Sequence, residues 1–479
     1  MLRKKAPLMG RAMIVLVLAA GLLIYGGEAP GAAAATHADW PTFGWDSART
    51  SAPDVSMGIN AGNLHSLQRQ QVKIDGTVDS SPIYLHGAMV KGSKHDVFFV
   101  TTTYGKTLAI DADSGAVLWE FSPKDYSKYE GSYRITTATP VAGPGRKYIY
   151  AAAPDGMIRK LSVADGQLVW RTAITKLPPR EKIASPLSYS NGHIIAVTGG
   201  YIGDVPPYQG HVVVLDPKTG ALLHVWNSLC SDRHVLMDPR SCKASDSAIW
   251  GRAGAVIDPT NGNIFVATGN GPWNGKDDWG DSVIELNADA TKILGNYTPQ
   301  DTHHLNENDL DLGSSSPVLA DGRYIVQGGK DGYLRVLDWQ RLKGTKPHRG
   351  RASFRVRTPG GAKLFTAPAI WQSGSATWLY VADNAGTEAW TFAAGKLHRQ
   401  WHNDHGGTSP VVADGLVFVY DPEGGLRVYN AKSGRQLAKL PCGSGHWNSP
   451  IVVDGRIALP QGNANAHRTS GVLNIWRKH

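Results

Sequence analysis

The sequence predicts an all-β fold, a ring of eight four-stranded antiparallel blades. Three observations carry that prediction. One strand-and-turn grammar recurs along the whole chain. Its apolar residues alternate with the period of a strand rather than that of a helix. The composition is 55 Gly, 28 Pro and 15 Trp in 479 residues, with 19% charged. That mixture suits short strands and tight turns, and it speaks against a helical bundle, a coiled coil or a multi-span membrane protein.

Each unit opens on a small residue followed by Pro. The steps are Ser81-Pro82, Thr139-Pro140, Ser185-Pro186, Ser316-Pro317, Ala367-Pro368, Ser409-Pro410 and Ser449-Pro450, with Ala253-Gly-Ala-Val-Ile-Asp258 as a copy without Pro. An apolar strand follows, then a Gly or Asp-Gly turn such as Asp414-Gly415, a second strand, a turn and a third strand. The unit ends on a turn of the form Asp-x-x-Ser/Thr-Gly and a fourth strand carrying Trp. The clearest copy is Ala109-Ile-Asp-Ala-Asp-Ser-Gly-Ala-Val-Leu-Trp119. Asp bonds its own turn backbone and Gly supplies positive φ. Four antiparallel strands repeated eight times make a β-propeller. Nearly all the Trp residues are read as packing between blades. The last unit ends at its third strand, near Trp476, so residues 67–74 are expected to add its outer strand and close the ring.

Ahead of the repeats, residues 1–35 read as a signal peptide. Arg3, Lys4, Lys5 and Arg11 precede an apolar run from Ala12 to Gly27 and an A-x-A step at Ala33 and Ala35. The alternative is an uncleaved signal anchor, which would be the chain's one link to a membrane. The propeller is assigned to residues 36–479. Export to the periplasm or beyond is the expected location. Charges are scattered, so nucleic-acid binding is not expected. Cys230 and Cys242 are expected to pair across one loop in an oxidising compartment, leaving Cys442 odd. No C-x-x-C-H motif for covalent haem and no zinc-ligand spacing is present.

The A-x-D-x-x-S/T-G-x-x-x-W run with Pro-initiated blades resembles the quinoprotein alcohol dehydrogenase-like superfamily. Its members are propellers of pyrroloquinoline quinone (PQQ) repeats, both enzymes and BamB-like scaffolds. The resemblance covers nearly the whole chain after residue 35. Ile249-Trp-Gly-Arg252, Asp258-Pro259 and Ala267-Thr-Gly-Asn-Gly-Pro-Trp-Asn274 are similar to the enzymes' cofactor-binding run. The resemblance implies that Trp250 underlies the PQQ rings and that Asn270 ligates calcium. It also implies that Asp309 or Asp311 is the catalytic base, and that Lys330 contacts the quinone oxygens. The enzymes' calcium-ligand Glu has no counterpart in Gly199–Gly210, where Asp204 is the carboxylate that would replace it. The family's adjacent-cysteine ring and fused cytochrome domain are not found.

The chemistry asks for more. An anionic cofactor needs cations, for which Arg134 is a candidate. His446 and His405 precede innermost strands and are expected near the funnel mouth, where the pair could bind an anionic ligand and His446 is a candidate cofactor-binding residue, whereas His303 and His304 are expected at the surface. Two classes of function remain open. One is an exported oxidoreductase using PQQ and calcium on a small alcohol or sugar. The other is a non-catalytic scaffold with a protein partner. A hydrolase or lyase in the same funnel is the lesser third.

Overall fold

The structure, a computed structural model, describes residues 37–478. The signal peptide expected at residues 1–35 lies outside the described residues. Eight blades form a propeller, each an antiparallel sheet of four strands in sequence order. In the fourth blade a short strand, Arg349–Gly350, adds in parallel to the outer strand Ile293–Pro299. The ring closes as the sequence predicts. Leu67–Ile74 pairs antiparallel with Gly471–Lys478 from Leu67 opposite Lys478 to Ile74 opposite Gly471, so the eighth blade takes its outer strand from the start of the chain.

The repeat has a direct physical meaning. In the turn after Thr107–Asp111, Asp111 Oδ1 accepts hydrogen bonds from the Ser114 amide and hydroxyl, both at 2.7 Å. The Gly of each such turn has positive φ, and in three of them it lies against the Trp of the preceding blade. A Cβ on Gly166 would stand 2.6 Å from the Trp119 ring, on Gly220 2.7 Å from Trp170, and on Gly434 2.6 Å from Trp401. Trp119 Nε1 also donates to Val163 O at 2.8 Å, and Trp401 Nε1 to Ala431 O at 2.8 Å. The Gly is thus demanded twice, by its own backbone and by its neighbour's indole. Trp119 and Trp401 stack one blade on the next and satisfy their own N–H groups there.

Sequence reasoning did not foresee the use made of residues 40–57. This segment runs along the inner strands and plugs the channel. Trp40 exchanges backbone bonds with Tyr84 of the first blade. The carbonyls of Pro41, Ser47, Thr50, Ser51 and Met57 accept from Ala142, Ile257, Ile370, Val412 and Gly455, in the second, fourth, sixth, seventh and eighth blades. Arg49 is buried and reaches the third, donating to Leu187 O at 3.0 Å and to the Ser188 hydroxyl at 2.6 Å. Phe43 packs in the cluster that holds Ile325 of the fifth.

Candidate functional site

Each innermost strand starts at the same end of its blade at which the second strand finishes, because the two are antiparallel. Loops of both kinds therefore meet around one mouth on the axis. They line a cavity of about 700 Å³. The plug lies beyond it along the channel.

Three aromatic rings from different blades form one face of the cavity. Trp250, Phe365 and Trp447 precede the innermost strands of the fourth, sixth and eighth blades. Their centroids lie 6.0 Å apart in every pairing, with interplanar angles of 20° for Trp250 and Trp447, 26° for Phe365 and Trp447, and 42° for Trp250 and Phe365. The buried Arg252 lies against the Trp447 ring and the Phe43 ring of the plug, 5.9 Å from each. It donates to the carbonyls of Thr137, Asp79 and Trp447 at 3.3, 3.2 and 2.7 Å.

An acidic wall stands beside Trp250. The loop after Ile264–Ala267 carries Gly269 and Asn270. A Cβ on Gly269 would lie 2.1 Å from Asp311 Oδ1 and 3.1 Å from Trp250 Nε1, so only Gly lets these groups converge. The Asn270 amide donates to Asp311 Oδ1 at 2.7 Å, and its Nδ2 donates to Asp309 Oδ1 at 3.3 Å. Asn270 Oδ1 is sealed from solvent and has no hydrogen-bond partner, an arrangement that disfavours an empty site. Lys330 Nζ is 2.5 Å from both Asp309 Oδ1 and Asp311 Oδ2 and 5.3 Å from the Trp250 ring. Burial opposes its charge, but the two carboxylates outweigh it and hold its pKa above the ordinary lysine value. Asp204 accepts from the Tyr208 hydroxyl at 3.2 Å. Burial raises the pKa of Asp204 and of Asp246, and the Asp311 carboxylate adds to both shifts.

A second wall carries basic groups. His446 Nδ1 lies 2.7 Å from Oδ2 of the buried Asp79, whose Oδ1 accepts from the Trp447 amide at 2.8 Å. Burial works against the Asp79 charge, yet the His446 imidazole and Arg252 hold its carboxyl below the usual range. Lys182 is buried and lines the cavity. Burial pushes its ammonium down to about 8; Asp79 pulls the value up and Arg252 pushes it further down.

Of the residues singled out in the sequence, Trp250, Asn270, Asp309, Asp311, Lys330, Asp204 and His446 all line this cavity. Arg134 does not. Its guanidinium lies over the Tyr129 ring at 4.7 Å and donates to Pro154 O at 2.7 Å, so an aromatic loop captures the cation short of the axis. His405 is exposed, and the following Gly407 and Thr408 line the cavity instead. His303 and His304 lie exposed on the helix Thr302–Glu307. Cys230 and Cys242 form the expected disulfide, with Cα atoms 6.2 Å apart. Cys442 is free, and burial raises its thiol to about 11. Asp246, Lys182, Phe365, Trp447 and the Asp79–Arg252 pair were missed. A usable signal existed: Lys182 and His446 stand four residues before Pro186 and Pro450, and Phe365 and Trp447 three residues before Pro368 and Pro450.

Comparisons with known proteins fit this architecture. Polyvinylalcohol dehydrogenase of Pseudomonas sp is 23% identical over 386 residues, covering 71% of this chain and 59% of that one. The dehydrogenase subunit of the quinone alcohol dehydrogenase of Acetobacter aceti is 22% identical over 507 residues, covering 90% of this chain and 66% of that one. The chain thus spans less than two thirds of the length of either relative. Among solved structures, the quinohemoprotein alcohol dehydrogenase from Comamonas testosteroni gives a TM-score of 0.65 at 17% identity, over 91% of this chain and 80% of that one. BamB from Moraxella catarrhalis gives 0.53 at 14%, over 86% and 97%. These likenesses show the shared fold. A family model described as outer membrane protein assembly factor BamB matches residues 60–235 and 375–470, more than half of the chain. The chain therefore belongs to that family of PQQ-repeat, quinoprotein-like propellers.

Proposed function

We propose that this chain binds PQQ and calcium in the axial cavity and oxidises a small alcohol or sugar. The observation that carries this reading is the convergence at Gly269. There an aromatic face, a locked carboxylate and the unpartnered Asn270 Oδ1 meet in one cavity. The cavity lining carries residues of the right kinds for both groups. Trp250, Phe365 and Trp447 offer a surface for a flat tricyclic ring, and Lys182 and Lys363 offer cations for its carboxylates. Asn270 Oδ1, Asp204 and Asp246 are the residues that would hold calcium, offering the hard oxygens it takes. When bound, the quinone accepts the substrate's electrons and the calcium acts as Lewis acid on its carbonyl.

Asp311 is the base in this reading. Its carboxylate is 10% exposed, against 62% for Asp309. The Asn270 amide and Lys330 fix both of its oxygens, so it is aimed before substrate arrives and takes the hydroxyl proton. Asp309 stands at the mouth and holds Lys330 from the solvent side. The aromatic face keeps water from the reacting centre. The Cys230–Cys242 disulfide supports an exported, periplasmic or secreted protein.

The test is dye reduction with added PQQ and calcium across a panel of alcohols and sugars. Activity that depends on both additions, and that Asn270→Ala and Lys330→Ala each abolish while folding stays intact, is the expected result. Activity surviving both substitutions would refute the reading. A scaffold reading has one observation in its favour. Among the described residues, no three His, Cys, Asp or Glu side chains of the cavity lie close enough to share an ion. On that reading the chain docks a protein partner and shows no response to PQQ.

A further inference from the structure

The plug enters the channel beside a cluster that the cavity does not involve. His37 stands at the start of the described chain, His86 in the innermost strand Ile83–Val90 of the first blade, and Asp454 in the turn before Arg456–Gln461 of the eighth. His37 Nδ1 and His86 Nδ1 both face one oxygen, Asp454 Oδ2, at 3.4 and 3.3 Å. The two imidazole rings are stacked with centroids 4.0 Å apart and planes 5° apart. All three ligand atoms lie within 4.8 Å of one another.

We propose that His37, His86 and Asp454 form a binding site for one divalent transition-metal ion of the zinc class, which pins the N-terminal plug to the first and eighth blades. Four observations support it. A tetrahedral ion with bonds of 2.0–2.1 Å places its ligands about 3.3–3.4 Å apart, the separation seen from each His to Asp454; the exposed His37 ring turns out of its stack on His86 to aim its lone pair at the same ion. His86 Nδ1 is sealed from solvent and makes no hydrogen bond, although Asp96 Oδ1 at 2.8 Å and Asp454 Oδ2 at 3.3 Å are both near. That nitrogen is therefore not committed to a hydrogen bond and has carboxylate oxygens of two residues beside it.

The local charge also asks for a dication. Asp39, Asp96, Asp113 and Asp454 surround Arg146 and Arg456, through contacts of 3.0 Å from Arg146 to Asp39 and of 3.1 and 2.6 Å from Arg456 to Asp96 and Asp113. With neutral imidazoles the cluster is acidic. Protonating both histidines instead would put two positive rings face to face at 4.0 Å. Finally, Asp454 is already oriented. Its Oδ1 accepts from the Ala38 amide at 3.0 Å and its Oδ2 from the Tyr84 hydroxyl at 3.0 Å, the outer hydrogen bonds that metal-bound carboxylates require. His37 is 57% exposed and Asp454 5%, so the ion enters from solvent on the His37 side. Imidazole with carboxylate selects zinc and its neighbours over calcium or magnesium.

The full chain without an affinity tag is stripped with chelator and titrated with Zn²⁺ against a chromophoric competitor, then with Co²⁺ read by its visible absorption. One equivalent is expected to bind with submicromolar affinity, to raise the melting temperature, and to give the intense Co²⁺ bands of a four-coordinate site. His37→Ala removes an exposed side chain and leaves the fold intact; it should weaken Zn²⁺ binding at least about tenfold and abolish the thermal shift. His86→Ala should do the same. Absence of stoichiometric binding would overturn the proposal, as would affinity and thermal shift unchanged in His37→Ala.

Discussion

The two walls of the axial cavity carry opposite charge and arise differently. The acidic wall, with Asp204, Asp246, Asp309 and Asp311 around Lys330, comes from the third to fifth blades and the loops between them. The basic wall, with Lys182, His446 and Arg252 around Asp79, draws on the third, fourth and eighth blades and on the segment before the first. The first wall is largely continuous in sequence, and family-like motifs mark it. The second exists only once the ring has closed and brought Asp79 to His446. One cavity thus has a chemically explicit side and a side that is a product of closure. An anionic aromatic ligand with a bound cation would use both.

The comparison can be broken wall by wall. Asp311→Asn should remove the proposed base and cost about 10²–10⁴-fold in PQQ-dependent turnover, with PQQ affinity changed far less. Equal losses in turnover and affinity would mean that Asp311 only positions the ligand. Arg252→Met tests the basic wall through stability. It strips a buried cation from three carbonyls and from Asp79, so chemical denaturation should show a loss of about 3–5 kcal/mol. A loss below about 1 kcal/mol would show that the plug and blades hold without it.

Smaller effects sharpen the picture. Replacing Cys230 and Cys242 by Ser frees the loop leading to Asp246 and should cost up to about 3 kcal/mol by loop entropy, read as a lower melting temperature. An unchanged melting temperature would mean that the loop is held without its crosslink. The Asp79 carboxyl sits below its unfolded pKa. Its stabilisation is therefore complete above the unfolded value and is lost as pH falls through the folded one. Asp79→Asn should flatten that acid limb of a stability profile. The smallest effect belongs to Lys182, lowered to about 8. It loses its charge as pH rises through that value, so affinity for an anionic ligand should fall by up to about tenfold between pH 7 and 9. Lys182→Met should remove that dependence, and an unchanged slope would exclude Lys182 as a ligand cation.

Much of the fold was legible because its determinants are local and repeated. The Asp turn, the positive-φ Gly and the Trp recur at fixed spacing, and the structure shows why: Gly166, Gly220 and Gly434 each lie against the preceding blade's Trp. Closure by residues 67–74 was legible because the last unit visibly lacks a strand. The plug was not, since Trp40 to Met57 bonds largely through backbone carbonyls, which leave no side-chain pattern. In the cavity, Trp250, Asn270, Asp311 and Lys330 could be found because motifs hold them. Asp246 lies in an irregular loop, and Lys182 looks like any surface lysine until the ring buries it. Arg134 failed for the reverse reason: its position suited the axis, but Tyr129 and the Pro154 carbonyl claim its guanidinium. His37, His86 and Asp454 escaped a search for zinc-ligand spacing because ring closure, not sequence proximity, brings them together.

The most direct test of the central claim is an equilibrium titration of the full chain with PQQ in the presence of calcium, followed by cofactor absorbance and tryptophan fluorescence. A partner substitution, Gly269→Ala, places a methyl group where Asp311 Oδ1 and Trp250 Nε1 converge. The account predicts saturable binding of one equivalent with quenched tryptophan emission. It also predicts binding at least about a hundredfold weaker in Gly269→Ala, about 2.8 kcal/mol at 1.4 kcal/mol per decade, while the ring still melts cooperatively. A wild-type chain that shows no saturable binding, or a Gly269→Ala chain that binds as tightly, would contradict it.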